Sequence, residues 1–345
     1  MPQTRPARRI AAAYSRRATG SARSGGTGST WGTAPRYPAR RACVDSPARR
    51  WWPVSESYEV VAERLAGVDG TIVVLGAADT GKTTLGRALV ADALAAGRVA
   101  AYVDGDVAAD TVGPPTCVGL RILRDPAELD DLRRPDELRF VGALDPSGVL
   151  LPEVVGVASL VEAARSADRV VVDTPGRIAG VVGETLAYHL VELLRPDVVV
   201  ALEVGEELEP VVAMLRRFLS ANVLVAAPPD GLVPRSPLER LEDRRAAFAR
   251  AFGSDLTRWR IHPGVVAPTL PEGFDLERLD GMLVGIHDDR GRCLGLGALE
   301  VEGPAVRVLT RHGDAMRGLR LGSMRIDLET FETDPVRLRQ LIFGI

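Results

Sequence analysis

Lysine is almost absent from this chain. Its 43 basic residues are arginines with one exception, Lys82. Cysteine is nearly as scarce: Cys43, Cys117 and Cys293 lie far apart with no CxxC pair, which argues against a cysteine zinc site or a disulfide framework and suits a reducing cytoplasm. His189, His262, His287 and His312 show no metal-ligand spacing. The longest apolar runs, such as the one around Asp197 to Leu202, fall well short of the roughly 20 residues that span a bilayer, so no membrane partner is expected. At 345 residues the chain has room for an α/β core and a second small module.

The net charge of −3 hides two unlike parts. Residues 1–54 carry 11 arginines against the single acid Asp45, and the remainder is strongly acidic. Any nucleic-acid site in that acidic body must be a local arginine cluster. The N-terminal stretch is rich in Arg, Ala, Ser, Gly and Pro without helical or strand period and is expected to be disordered. A phosphate-touching tail and an overlong start to the reading frame both fit its composition.

From residue 55 onward the pattern becomes regular. Ser55 or Ser57 ahead of "YEVVAERLAG" caps a helix ending near Gly67. The β-branched run "TIVVL" reads as a buried strand, and "KTTLGRALVADALAAG" has helical spacing with Gly97 placed to end it. Strands over 99–104, 169–174, 197–203 and 222–227 alternate with helices near 153–167, 183–194 and 209–219. Such alternation predicts a mostly parallel sheet covered on both faces, with ligands at the carboxyl ends of its strands.

Gly76, Ala77, Ala78, Asp79, Thr80, Gly81, Lys82 and Thr83, with Thr84 following, fit GxxxxGK[ST] between a predicted strand and a predicted helix. The glycines let successive N–H groups turn toward phosphate oxygens, Lys82 reaches the β and γ phosphates, and the Thr83 hydroxyl is a ligand for Mg²⁺. A lone lysine would meet the other three fixed positions by chance about once in a thousand. Arg is a planar fork and Lys a compact ammonium on a flexible stem, so a tight phosphate loop keeps the lysine that the rest of the chain has lost. The reading is therefore an α/β P-loop NTPase domain over 55–264, with an Arg-rich lid at 228–252. A small, mainly β domain follows over 265–345, with a hairpin connection at Asp288 to Gly291. No NKxD guanine motif is present, although "DTPG" at Asp173 to Gly176 is like a GTPase DxxG element.

"VDGDVAADTVGPPTCVGL" places Asp104 and Asp106 at the end of the second strand, where carboxylates hold Mg²⁺ or accept a hydroxyl proton. Together with "GAADTGKTT", "VVDTPGRIAGVVGETLAYHLVELLRPDVVVALE", "PRSPLERLEDRRAAFARAFG" and the β segments "LVGIHDDRGRCLGLGALE" and "GLRLGSMRID", this ordered set resembles the polynucleotide 5′-hydroxyl kinases from about Gly70 to the C-terminus. The resemblance implies ATP and Mg²⁺ as cofactors and a nucleic acid, RNA rather than DNA, as substrate. It implies Lys82 at the phosphates, Thr83 and Asp106 at the metal, and Asp106 as activator of the 5′-hydroxyl. It further implies Asp104, Thr174, Gly176 and Arg177 on the nucleic-acid side, and Arg240 and Arg244 as lid arginines that offset charge on the phosphoryl group. Ala108 and Ala109 stand where the family usually has Gly-Gln, and Arg177 stands where it has Trp. These departures motivate a rival expectation, an ATP-binding adaptor of an RNA-processing complex without turnover. A P-loop kinase acting on a small molecule is the third.

Overall fold

The computed structural model describes residues 56–303 and 305–344, so the expected disordered segment lies outside the described residues. The first part of the chain runs α1 Tyr58–Leu65, β1 Gly70–Gly76, α2 Lys82–Ala95, β2 Ala100–Asp104, β3 Cys117–Leu123, β4 Glu137–Phe140, α3 Leu150–Ala163, β5 Arg169–Asp173, α4 Gly180–Leu194, β6 Val198–Leu202, α5 Glu209–Leu219, β7 Val223–Ala226 and α6 Pro237–Phe252. Ser57 caps α1 through its hydroxyl, which accepts from the Val60 N–H, as the sequence suggested.

The first sheet has the order β4-β3-β2-β5-β1-β6-β7. Its five parallel strands are the apolar runs read from sequence. Their burial on both faces explains why they show continuous hydrophobicity rather than alternation. Strands β3 and β4 add an antiparallel edge that the sequence reading did not find. Strand β3 runs on to an antiparallel neighbour rather than into a crossover helix, and β4 is only four residues long. Register puts Val74, Asp173 and Asp104 side by side on β1, β5 and β2, so the acids arrive together at the carboxyl edge of the sheet.

At the opposite end of β5, Arg169 is fully buried. Its guanidinium donates to the carbonyls of Val68 (2.6 Å), Leu89 (2.7 Å) and Leu65 (3.2 Å) and pairs with Asp92 at 2.7 Å. It thus ties the end of α1 and the turn after it to the middle of α2. Arg169→Ala removes the buried guanidinium with its bonds to three carbonyls and to Asp92, and a loss of about 3–5 kcal/mol in equilibrium urea unfolding is expected.

The second sheet comprises β8 Thr257–Ile261, β9 Val266–Ala267, β10 Met282–His287, β11 Cys293–Glu302, β12 Ala305–Thr310, β13 Gly318–Ile326 and β14 Thr333–Pro335, followed by α7 Leu338–Phe343. Its order is β14-β13-β10-β11-β12-β8, with β9 paired to β13. Edge strand β8 precedes residue 265, and its largely exposed side chains gave little apolar pattern to read. An apolar layer of Phe140, Phe248, Phe252, Leu283, Leu296 and Met324 joins the first sheet, α6 and the second sheet. Gly285 makes room for it: a Cβ there would lie 2.4 Å from the Phe140 ring. The C-terminal half of α6 is thereby fixed, and its N-terminal half projects toward the P-loop. Among the described residues no helix is long and apolar enough to cross a membrane.

Candidate active site

The loop between β1 and α2 is shaped by two positions with positive φ, Asp79 (60°) and Gly81 (88°). A Cβ on Gly76 would lie 2.5 Å from Thr80 Oγ1 and 2.9 Å from the Leu202 carbonyl, so only glycine fits. The Thr80 hydroxyl and the Lys82 ammonium both donate to the Ala77 carbonyl, at 2.9 and 2.8 Å. Lys82 is 7% exposed and lies curled over the loop. Helix α2 starts at Lys82 with no side-chain cap and no acid in its first turn. Its free N–H groups and positive dipole end therefore face an open site, the arrangement that binds phosphate.

The adjoining cleft has a volume of about 680 Å³ and is lined by Ala78, Asp79, Gly81, Lys82, Thr83, Thr84, Asp106, Ala108, Ala109, Asp173, Arg235, Arg240 and Arg244, among others. The P-loop, Asp106, Arg240 and Arg244 are brought together on this one cleft. Asp173 joins them although sequence reasoning gave it no role. Thr83 donates to its Oδ2 at 2.6 Å, Tyr102 donates to the same oxygen at 2.8 Å, and its Oδ1 is buried without a protein partner among the described residues. The available signal was an apolar strand, "RVVVD", ending in an acid beside the P-loop strand.

The expected substrate residues divide differently. Asp104 is buried, and its carboxylate accepts from the N–H groups of Asp106 (3.1 Å) and Val112 (3.0 Å). It shapes the loop that presents Asp106 and does not line the cleft. The buried Thr174 hydroxyl ties β5 to β1 by donating to the Val74 carbonyl at 2.7 Å. Gly176 packs on the P-loop, where a Cβ would lie 2.8 Å from the Ala78 nitrogen. Arg177 pairs with Asp145 at 3.1 Å and Ser147 at 3.0 Å, outside the cleft lining. The carboxyl end of β5 thus buttresses the phosphate loop from behind.

Burial pushes up the pKa of Asp106 against the N–H groups of Ala108 and Gly176 and the charge of Lys82. Burial does the same to Asp173, opposed chiefly by Lys82, Thr83 and Tyr102. Asp104 is driven well above the usual carboxylate range by burial and by Asp173 and Asp106. Several buried acids around one ammonium leave negative charge that a cation would relieve. The hard oxygen donors Thr83 Oγ1, Asp173 Oδ1 and the Asp106 carboxylate suit Mg²⁺, which takes few protein ligands and completes its shell with phosphate and water.

Glu153, in the first turn of α3, is fully buried with both carboxyl oxygens unbonded. Burial, with the charges of Asp106 and Asp145, raises its pKa to about 8. Its folded pKa lies above the unfolded value, so the native state holds a proton that the unfolded chain releases, and stability falls as pH rises from about 4.5 through 8. Glu153→Gln should unfold close to the parent at pH 5. In thermal melts at pH 9 it should be more stable by a few kcal/mol, at about 1.4 kcal/mol per pKa unit.

A glycine-shaped loop, a buried lysine, an uncapped helix start and acids at the ends of parallel strands define a P-loop nucleotide-binding domain. Residues 76–254 match the family described as mRNA cleavage and polyadenylation factor CLP1 P-loop, and the chain belongs to that family. The polyribonucleotide 5′-hydroxyl-kinase of Pyrococcus furiosus is 26% identical, with 85% of this chain and 92% of the relative covered. That of Thermococcus kodakarensis is 28% identical, covering 79% and 92%. Among solved structures, the wild-type Clp1p–Pcf11p complex contains a chain of the same fold, with TM-score 0.57 and 15% identity over 77% of each chain.

Proposed function

We propose that the protein transfers the γ-phosphoryl group of ATP to the 5′-hydroxyl of a polynucleotide, RNA in particular. The observation that carries this reading is the convergence of Lys82, Asp106, Arg240 and Arg244 on one cleft beside the P-loop. The name polyribonucleotide 5′-hydroxyl-kinase borne by the archaeal relatives supports the choice of acceptor.

The N–H groups at the start of α2 and Lys82 bind the β and γ phosphates. Mg²⁺, when held by Thr83, Asp173 and Asp106, offsets phosphate charge. Asp106, presented at the cleft by the loop that Asp104 holds, accepts the proton of the attacking 5′-hydroxyl as the new P–O bond forms and the bond to the β-phosphate oxygen breaks, releasing ADP. Arg240 and Arg244 stabilise the charge spread over the transferring group. Ala108 and Ala109 contribute no polar side chain to that wall of the cleft, whose neighbouring polar groups are Asp110 and Thr111.

An acceptor panel tests the reading. Purified protein is given ATP and 5′-hydroxyl oligonucleotides of single- and double-stranded RNA and DNA, in competition with nucleosides and small alcohols. Transfer to RNA that excess nucleoside does not suppress is the expected result. Preferential transfer to a small alcohol would replace this reading with that of a small-molecule kinase, and retained ATP with no transfer would replace it with that of an adaptor.

A further inference from the structure

Of the two arginines that α6 contributes to the cleft, one is held and one is not. Arg240 Nη2 donates to Asp79 Oδ2 at 2.6 Å, and Arg240 Nε donates to the Arg235 carbonyl at 3.2 Å. Arg235 in turn donates to Asp79 through its backbone N–H (3.0 Å) and its Nε (3.2 Å), while its Nη1 reaches Asp243 at 3.1 Å. Arg244, one turn further along α6, has no hydrogen bond or ion pair among the described residues.

Asp79 thus sits at the tip of the phosphate loop with three donors from the lid on one carboxylate, and its side chain is only 8% exposed. Its left-handed backbone, at φ 60°, turns the side chain out of the phosphate cradle and toward α6. The other end of the lid is anchored by Phe248 and Phe252 in the apolar layer between the sheets. The first turns of α6 have no comparable anchor, since Leu238 and Leu241 remain exposed.

We infer that Asp79 is a positioning residue, acting through Arg240. It holds that guanidinium over the phosphate cradle and fixes the free end of the lid to the P-loop. An arginine carries five N–H donors in a rigid fork. Two of its nitrogens are committed to Asp79 and Arg235, so the remaining Nη1 edge is preset to meet phosphoryl oxygens. Fixing the fork in advance spares the side-chain ordering that a free arginine must undergo on binding.

The role rests on the phosphoryl-transfer reading for its rate measurement but not for its structural one. Asp79→Asn keeps a residue that tolerates the left-handed backbone and removes the charge. It should lower single-turnover transfer by about tenfold with ATP affinity changed by less than about threefold, whereas in an Arg240→Ala background the same substitution should change the rate by no more than about twofold. Hydrogen exchange of the backbone amides over 237–244 should rise in Asp79→Asn and in Arg235→Ala. Equal rate losses in both backgrounds, or unchanged exchange in α6, would overturn the inference. If no variant and no parent protein transfers phosphate, yet exchange rises as expected, the kinase reading fails and the latch stands.

Discussion

Lys82→Arg, although it swaps in the cation the chain uses everywhere else, is expected to lose phosphoryl transfer by about three orders of magnitude, as severely as Lys82→Ala. The reason is room. The lysine stem passes Gly76 so closely that a Cβ there would lie 3.2 Å from Lys82 Cγ, and its ammonium tucks against the Ala77 carbonyl at 2.8 Å. A guanidinium is wide and planar and cannot enter between that loop and the phosphates without opening it. Alanine leaves the loop intact but removes the point charge. Initial rates with labelled ATP measure the loss. Thermal melts should show both variants folded, because the side-chain hydrogen bond of Lys82 stays within its own loop, to the Ala77 carbonyl.

Asp106→Asn should lower kcat by about 10²- to 10⁴-fold with ATP affinity nearly unchanged, since an amide neither accepts the hydroxyl proton nor offers a charged oxygen to a metal. Asp104→Asn separates the two neighbouring acids. Asp104 receives the N–H groups of Asp106 and Val112 and is enclosed, so its loss should appear first as a lower melting temperature. Rapid-quench transfer assays alongside equilibrium ATP binding would resolve the two behaviours. A kcat for Asp106→Asn within threefold of the parent would remove Asp106 from the chemistry.

The P-loop was legible because its requirements are local: glycine where a Cβ collides, lysine where a fork does not fit, and a helix that begins without a cap. The parallel strands were legible because double burial writes itself as unbroken apolar runs. Asp106 was legible from its place at a strand end. What sequence could not give was side-chain direction after a strand ends. Thr174 and Arg177 lie three residues apart, yet one hydroxyl is buried against Val74 and the other side chain pairs with Asp145 outside the cleft. Asp173 was passed over because "DTPG" invited a comparison with GTPases, and its part emerges only when register sets it beside Asp104 and under Thr83. The antiparallel strands β3 and β4 were hidden because their pairing is non-local and their sequences mix arginine with apolar residues. The bond between Asp79 and the lid, spanning 161 positions, has no sequence signal at all.

The central claim is tested most directly by one assay: the intact protein, [γ-³²P]ATP, Mg²⁺, and matched RNA oligonucleotides bearing either a 5′-hydroxyl or a 5′-phosphate. Label should pass to the 5′ end of the hydroxyl form alone, and the Lys82→Ala protein should pass none. Label on neither oligonucleotide, or equal transfer by parent and Lys82→Ala proteins, would contradict it.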